Sequence, residues 1–216
     1  LNKIKKRSIK IIKSNKKYFA PKSVKELNEI LRLEPNSKLI SGGTDVSLIV
    51  TKERKDINSL IYLNSIDELN YIKENNKFIE VGASTPLIKF ESFAKKYFPD
   101  FSHILKRYGS VQIRNVCTIA GNIATASPIG DTLPLLLALD SQIVIKSKNK
   151  TIILPINGFF TNYRKTKLKK GQFIHSIRIP FLKQNIFKAY KISKRIDDDI
   201  SSVCGSFNIE INKNKI

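Results

Sequence analysis

Two glycine-containing segments stand out in this 216-residue sequence because their residue types are suited to binding chemistry. The first reads Ser41-Gly42-Gly43-Thr44-Asp45 and lies between a predicted strand and a predicted helix. Glycines let backbone N–H groups approach an anion closely, and a helix N-terminus adds a favourable dipole. The segment is therefore suited to a phosphate or pyrophosphate, with a simple tight turn, capped by Thr44 or Asp45, as the alternative. It matches neither the Gly-x-Gly-x-x-Gly fingerprint nor a P-loop.

The second segment runs from Thr118 to Asp131 and combines small residues with hydrogen-bonding side chains. Thr118, Asn122, Thr125 and Ser127 could contact a ligand, because their neighbours are too small to block its approach. Asp131 is the one acidic residue of the segment and is suited to accept hydrogen bonds from sugar hydroxyls. Close helix packing through the small residues is the alternative interpretation.

Other chemistry-bearing residues lack a supporting pattern. His103 and His175 have no metal-ligand spacing, and the run Asp197-Asp198-Asp199 lacks the spacing of a calcium loop. Cys117 and Cys204 form no Cys-x-x-Cys pair and have no catalytic histidine nearby in sequence. We therefore predict no metal site and no thiol nucleophile in this chain, and a reducing, cytoplasmic environment.

The formal net charge of +21 raises the question of a nucleic-acid partner. Residues 1–17 and 141–196 contain basic side chains and no acidic ones, while the rest of the chain is nearly neutral. Lysine far outnumbers arginine, and Ile and Asn are plentiful, which is typical of an adenine- and thymine-rich genome. Arginine forks and interleaved aromatics, typical of specific readers, do not occur, so we predict no specific nucleic-acid site. The longest apolar run, Leu133–Leu139, is too short to span a membrane.

Sequence patterns predict an α+β organisation, with helices and strands mixed in the first half and mostly strands in the second. Ser23 is a good N-cap, with Glu26 completing a capping-box pattern. The predicted helices are 24–31, 46–52, 86–97 and 133–139, with a helix-like turn at 67–69. The predicted strands are 38–40, 59–63, 78–82, 142–146, 151–154, 173–179, 187–192 and 200–211.

Several segments, in this order, make the chain resemble the FAD-binding domain of molybdenum hydroxylases, and most of all the small FAD/iron–sulfur subunit of bacterial xanthine dehydrogenases. The resemblance covers residue 18 to the end of the chain. It is carried by Tyr18-Phe19-Ala20-Pro21, Ser41-Gly42-Gly43-Thr44-Asp45-Val46, Gln112-Ile113-Arg114-Asn115, Gly121-Asn122-Ile123-Ala124, Ser127-Pro128-Ile129-Gly130-Asp131, Tyr163-Arg164-Lys165-Thr166, Tyr190-Lys191-Ile192-Ser193-Lys194-Arg195 and Asp199-Ile200-Ser201-Ser202-Val203-Cys204.

The resemblance implies a fold of the vanillyl-alcohol-oxidase/PCMH type, in which two α+β subdomains hold an extended FAD. Residues 1–17 are then expected to be a basic linker from a missing upstream region, and residues 18–184 the FAD-binding domain. Residues 185–216 are expected to begin a truncated C-terminal α+β domain. The chain starts at Leu1 and contains no methionine, so we expect both ends to be cut.

The resemblance also implies a set of cofactor-binding residues in this chain. The pyrophosphate loop maps to Leu39, Ile40, Ser41, Gly42, Gly43, Thr44, Asp45 and Val46. The second loop maps to Thr118, Ala120, Gly121 and Asn122, with Asp131 beside the ribose, Tyr108 and Gly109 as further FAD contacts, and Ile174 and Lys191 near the flavin ring. Cys117 and Ala120 replace two glycines that the family usually has, so weakened FAD binding is expected if either position needs a positive φ.

The implied activity is that of an FAD-dependent oxidoreductase component of xanthine dehydrogenase, which passes electrons from iron–sulfur centres through FAD to NAD⁺. Oxidation of hypoxanthine and xanthine to urate would occur on a molybdenum cofactor in a large partner subunit. The [2Fe-2S] clusters are expected in an upstream domain or a separate subunit. The alternatives are a flavin subunit of a related hydroxylase that acts on carbon monoxide, an aldehyde or an aromatic thioester, and a basic nucleic-acid-binding module.

Overall fold

A computed structural model describes residues 7–148, 150–182 and 184–211, in which strands and helices alternate in the first half of the chain. The α-helices are Val24–Leu33 (α1), Val46–Thr51 (α2), Leu87–Tyr97 (α3), Pro99–Lys106 (α4), Val111–Val116 (α5), Ile119–Thr125 (α6) and Thr132–Ala138 (α7). The strands are Ile9–Lys13 (β1), Lys16–Ala20 (β2), Lys38–Ile40 (β3), Ser59–Tyr62 (β4), Ile72–Glu74 (β5), Phe78–Gly82 (β6), Gln142–Ser147 (β7), Lys150–Pro155 (β8), Phe160–Asn162 (β9), Lys165–Thr166 (β10), Phe173–Pro180 (β11), Ile186–Ile192 (β12) and Val203–Ile209 (β13). Short 3₁₀ turns occupy Leu63–Ser65, Asp67–Leu69 and Ile156–Gly158.

The first sheet has the strand order β1-β2-β4-β3, with β4 parallel to both β2 and β3. Helix α1 connects β2 to β3, as parallel strands require a crossover. Ser23 caps α1 as predicted, because its hydroxyl accepts a hydrogen bond from the Glu26 N–H at 3.1 Å. Leu27 and Leu31 of α1 are buried in the same small core as Phe19 and Ile61. This unit fixes the end of β3, from which the first glycine segment starts.

The second sheet is antiparallel throughout, with the order β5-β6-β11-β7-β8. Its central strands carry aliphatic side chains into a larger core, to which helices α3, α4, α6 and α7 also contribute. Strand β7 shows this directly, since Ile143, Val144 and Ile145 are all buried. The two separate cores bear out the predicted α+β class and the two subdomains.

A further antiparallel pair, β12 and β13, lies beside the second subdomain, where β12 contacts α4 and β13 contacts α7. Strand β12 alternates between exposed and buried residues, with Phe187, Ala189 and Lys191 turned inward. A lysine on the buried face of a strand is unusual, and its partners define part of the candidate site below.

The expected linker at residues 1–17 is corrected for its described part. Residues 9–13 form β1, which pairs with β2 through a tight turn where Ser14 has a φ of 53°. The sequence pattern does not indicate this strand, because every residue of β1 is exposed and no alternation of buried and exposed residues results. Residues 1–6 lie outside the described residues, and the domain boundaries at 18–184 and 185–216 stay a prediction.

The sequence patterns predict no helix or strand in residues 111–125. In the structure this segment forms two short helices, α5 and α6, because Ser110 and Thr118 each cap a helix through the side chain. The predicted strand 200–211 is shorter in the structure, where β13 spans Val203–Ile209.

Candidate functional site

The first glycine segment connects β3 to α2 and packs against the end of α5. A Cβ atom at Gly42 would lie 2.1 Å from the carbonyl oxygen of Val116 and 2.8 Å from the backbone nitrogen of Cys117. Contacts that short are not tolerated between a side chain and backbone, so position 42 requires glycine. The first glycine segment therefore meets the backbone directly before Thr118, where the second segment begins.

Gly43 and Asp45 have different roles from those of a simple capped turn. Gly43 has a φ of 72°, a left-handed conformation that glycine adopts without steric cost. Asp45 occupies the N-cap position of α2, but its side chain makes no capping hydrogen bond. Its carboxylate instead accepts a hydrogen bond from the Thr125 hydroxyl at 3.4 Å, which links the two glycine segments directly.

The start of the second segment is a helix N-terminus. The Thr118 hydroxyl caps α6 by accepting a hydrogen bond from the Gly121 N–H at 3.0 Å. Ala120 is buried inside α6, and Gly121 is exposed. Neither Cys117 nor Ala120 has a positive φ, so the two replacements of the usual glycines impose no backbone strain.

The amide of Asn122 is oriented by two hydroxyl groups. Its nitrogen donates to the phenol oxygen of Tyr108 at 3.0 Å, and its oxygen accepts from the Thr132 hydroxyl. Burial, with the negative charges of nearby groups as lesser causes, raises the pKa of Tyr108 far above its usual range, so the phenol stays protonated. Tyr108 and Asn122 thus form one connected polar group next to the helix start.

Asp131 and Lys191 form a buried ion pair, with 2.7 Å between the carboxylate and the ammonium nitrogen. The ammonium also donates to the carbonyl oxygens of Arg107 at 3.0 Å and Asp199 at 2.9 Å. The other carboxylate oxygen of Asp131 accepts from the Ser201 hydroxyl at 2.6 Å. The sequence identified both charged residues, but it gave no sign that they bind each other. Each carboxylate oxygen has a second lone pair, so Asp131 can still accept a bond from a ligand.

The remaining expected site residues lie on strands β3 and β11, at the start of α2 and in the adjoining turns. Leu39 and Ile40 end β3 and are half-buried, while Ser41 donates a hydrogen bond to Asn64. Val46 is the first residue of α2, and Gly109 follows Tyr108 in a left-handed conformation. Ile174 is buried on β11, which α6 contacts.

Arg114 occurs in one of the segments that carry the family resemblance, but the sequence predicts no role for it. It is 9% exposed, and its guanidinium donates to the carbonyl oxygens of Tyr108 and Gly109. Its presence within the run Gln112-Ile113-Arg114-Asn115 was the only available signal, since burial of an arginine cannot be read from its own sequence position.

The two cysteines are free, and neither is an activated nucleophile. Burial raises the pKa of Cys117 to about 12 and that of Cys204 to about 11. Thiols with such pKa values stay protonated at neutral pH and react slowly. Within the described residues no group of three or more His, Cys, Asp or Glu side chains could hold a metal ion.

The donor set fits a flavin nucleotide. The first glycine loop approaches the backbone of Val116 and Cys117 at Gly42, and the N-terminus of α6 and the Tyr108–Asn122 pair follow in the same part of the chain. Backbone amides suit a pyrophosphate, and protonated phenol and amide groups suit the polar edges of a ribose or an isoalloxazine ring. The buried Nε atom of Arg114 has no hydrogen-bond partner among the described residues.

Comparisons with known proteins agree with this geometry. The family described as "FAD binding domain in molybdopterin dehydrogenase" matches residues 11–182. A xanthine dehydrogenase of Emericella nidulans is 34% identical over 209 residues, which is 91% of this chain and 15% of that protein. A nicotinate hydroxylase of the same organism is 32% identical over 213 residues, covering 90% of this chain and 16% of its own length. The chain therefore spans about 15% of the length of these relatives.

Solved structures show the same fold. A carbon monoxide dehydrogenase from Hydrogenophaga pseudoflava superimposes with a TM-score of 0.81 and 27% identity, covering 88% of this chain and 68% of that chain. Quinoline 2-oxidoreductase from Pseudomonas putida 86 gives a TM-score of 0.83 at 20% identity, with 90% of this chain and 68% of that chain covered. The expected PCMH-type FAD-binding fold is confirmed. No helix in the described residues is long and apolar enough to cross a bilayer.

Proposed function

Because the chain belongs to the family of FAD-binding domains in molybdopterin dehydrogenases, we propose that it holds FAD non-covalently as the flavin module of a xanthine dehydrogenase. The observation that carries the proposal is the close approach of Gly42 to the backbone of Val116 and Cys117, directly before the second glycine segment begins. This contact places the amides of the first loop next to the N-terminus of α6, so that both can bind one anionic group.

The residues that the resemblance assigned to FAD keep those assignments in the proposal. The amides of Gly42 to Thr44 would hold the pyrophosphate, and Thr118 to Asn122 would hold its other side. Asp131 would bind ribose hydroxyls through its remaining lone pairs, while Ile174 and Lys191 would lie near the flavin ring. The Lys191 ammonium would act on the ring together with its partner Asp131, because its three hydrogens are donated within the chain.

Bound FAD would supply the redox chemistry, by accepting electrons from iron–sulfur centres and passing a hydride to an acceptor. The chain itself would bind, orient and shield the ring. We propose non-covalent binding because neither loop has a His or Cys at a position suited to a covalent link to the flavin. The raised pKa values of Cys117 and Cys204 agree with this, since protonated thiols react slowly. FAD should therefore be released in full when the protein is denatured with acid.

A matched pair of glycine variants tests the pyrophosphate loop. Gly43 and Gly171 have nearly equal positive φ values, 72° and 74°, but only Gly43 lies in the proposed site. Replacing either by Val introduces similar backbone strain, so a difference in FAD affinity reports the ligand contact and not the strain. Flavin content and the dissociation constant of FAD, measured by flavin fluorescence, should change for Gly43→Val and not for Gly171→Val. Wild-type affinity in Gly43→Val would show the loop assignment to be wrong.

We propose NAD⁺ as the electron acceptor, because the chain resembles the xanthine dehydrogenase type between Lys191 and Cys204. The loop from Lys194 to Asp199 combines two cationic side chains with three consecutive aspartates, and such charges act on an anionic dinucleotide. In the complete complex, Asp198→Ala should change NAD⁺ reduction while leaving flavin content and reduction of an artificial acceptor nearly intact. Equal loss of both activities would point to a folding defect, and no change in either would contradict a role for the loop.

The partners follow from the same proposal. A large subunit or domain with the molybdenum cofactor would oxidise the purine, and [2Fe-2S] clusters outside this chain would deliver electrons to FAD in the cytoplasm. The similarity to a carbon monoxide dehydrogenase supports, as a second candidate, the flavin subunit of another molybdenum hydroxylase. Turnover of xanthine, carbon monoxide and aldehydes by the complete complex separates these candidates.

A further inference from the structure

Arg114 is a buried cation whose hydrogen bonds go to backbone and not to a carboxylate. One of its terminal nitrogens, Nη1, lies 3.1 Å from the carbonyl oxygen of Tyr108 and 2.6 Å from that of Gly109. No ion pair of Arg114 occurs among the described residues, and its buried Nε has no hydrogen-bond partner there. Burying a guanidinium without a counter-charge is costly, so its location needs a local reason.

The two carbonyl groups that Arg114 binds belong to a tight turn between α4 and α5. The N–H of Tyr108 donates to the carbonyl oxygen of Leu105 at 3.0 Å, and Gly109 has a φ of 50°. Two consecutive peptide groups must therefore point their oxygens to one side, toward the guanidinium. Arg114 stabilises this orientation, because a charged donor bound to two acceptors holds both peptide planes.

The same turn carries the side chain of Tyr108, which is held at its far end as well. The Asn122 amide donates to the phenol oxygen at 3.0 Å, and Thr132 fixes which way that amide points. The phenol hydrogen has no acceptor among the described residues. Tyr108 is thus fixed by Arg114 at the backbone and by Asn122 at the ring, with one donor left for a ligand.

Arg114 also lies on the helix that meets the first glycine segment. Helix α5 ends at Val116, whose carbonyl oxygen is the atom that excludes any side chain at Gly42. The turn at Tyr108, the helix α5 and the loop at Gly42 are therefore one connected unit. A shift at either end of α5 would move the other.

We propose that Arg114 is a positioning residue of the cofactor site, which acts by holding the Tyr108–Gly109 turn so that Tyr108 and Asn122 meet FAD in one fixed arrangement. The proposal rests on the proposed FAD binding. It assigns Arg114 no direct contact with FAD, so its effect on the cofactor should depend on the presence of the Tyr108 side chain.

A double-mutant cycle on the intact protein tests this dependence. The variants are Arg114→Gln, Tyr108→Leu and the combination, with Arg114→Lys as the conservative change and exposed Arg32→Gln as the matched control. After removal of FAD, its dissociation constant is measured by flavin fluorescence, and the unfolding midpoint of each apo-protein is recorded separately. Arg114→Gln should weaken FAD binding by about tenfold, as expected for loss of charge-assisted hydrogen bonds. Arg114→Lys should recover part of that loss, and Arg32→Gln should change nothing.

The coupling between Arg114 and Tyr108 in FAD affinity decides whether the proposal holds. If Arg114 acts through Tyr108, Arg114→Gln should weaken FAD binding by less than about threefold in the Tyr108→Leu background. The same tenfold loss in both backgrounds would overturn the proposal. If the Gln variant does not fold, the cycle is measured with Arg114→Lys, and additive effects there overturn it equally. Absence of FAD binding by the wild-type protein would instead refute the proposed function, and the positioning role with it.

Discussion

Lys191 and Arg107 exchange hydrogen bonds between side chain and backbone in both directions. The Lys191 ammonium donates to the carbonyl oxygen of Arg107 at 3.0 Å, and the Arg107 guanidinium donates to the carbonyl oxygen of Lys191 at 2.8 Å. The guanidinium also donates to the carbonyl oxygen of Ile196 at 3.1 Å and the hydroxyl of Ser193 at 3.0 Å. This exchange ties the end of α4 to the end of β12 and to the loop that follows.

Arg107 should therefore keep the loop 193–196 closed against α4. Arg107→Gln removes three charge-assisted hydrogen bonds and should increase local opening of that loop. Lys194 and Arg195 within it are exposed trypsin sites. Limited trypsin digestion followed by mass spectrometry should show cleavage after these residues at least about threefold faster than in the wild type.

The control for this experiment is the neighbouring residue Lys106, which is exposed at the end of α4. Lys106→Gln removes the same unit of charge and should leave the cleavage rate in the loop unchanged. Equal rates for the Arg107 variant and the wild type would show that the guanidinium does not restrain the loop.

The buried pair of Asp131 and Lys191 should be needed for stability. Lys191→Met leaves the Asp131 carboxylate, whose side chain is 7% exposed, without its cation and should lower the free energy of unfolding by about 3 to 5 kcal/mol. Urea denaturation measures this loss, and the double variant with Asp131→Asn should recover a large part of it, because no uncompensated charge then remains. Exposed Lys194→Met is the control and should change stability by less than about 0.5 kcal/mol. A double variant no more stable than Lys191→Met would contradict the ion-pair explanation.

Gly42 should tolerate substitution less well than any exposed glycine. Gly42→Ala places a methyl group 2.1 Å from the Val116 carbonyl oxygen, which forces the first glycine segment away from the end of α5. Gly158 is the control, since a Cβ there meets no atom closer than 3.8 Å. Thermal unfolding should show a large loss for Gly42→Ala, of about 2 kcal/mol or more, and little change for Gly158→Ala. Similar unfolding midpoints would mean that Gly42 and Val116 are not in contact.

His175 should make the protein less stable in mild acid. Burial, and then the positive charge of Lys146, lower the pKa of His175 from about 6.5 to about 4. Between these values the unfolded chain binds a proton that the folded protein does not, so stability falls as the pH drops through this range and is fully present above it. His175→Gln should flatten the dependence of the urea midpoint between pH 7 and pH 5. An unchanged slope would show that another group titrates there.

Below the pH range in which His175 titrates, the carboxyl group of Glu80 affects stability. Burial opposes ionisation, but hydrogen bonds from Ser176, Tyr71 and Arg178 outweigh it and lower the pKa of Glu80. Its contribution is therefore present above its ordinary pKa and is lost in stronger acid. Measurements down to pH 5 separate the histidine from this carboxylate.

The sequence alone predicted the features that depend on residues close together in the chain. The cap at Ser23, the short strand before Ser41 and the helix after Pro86 were all predicted, because capping, turn chemistry and periodicity act within a few residues. The resemblance added the identity of both loops, since ordered motifs are recognisable without knowledge of their contacts. The boundaries of elements were predicted less accurately, since β13 is shorter than the predicted strand 200–211.

The tertiary structure decided what depends on residues far apart in the chain. The partner of Asp131 lies 60 residues away, and Gly42 is restricted by the backbone at Val116 and not by its own turn. The role of Arg114 could not be predicted from the sequence, because it comes from the carbonyl groups that the fold brings to it. Strand β1 pairs at the edge of its sheet with exposed side chains, so only the backbone hydrogen bonds to β2 reveal it. Local propensity is set by the residues themselves, whereas burial, charge pairing and close backbone approach exist only once distant segments have been packed together.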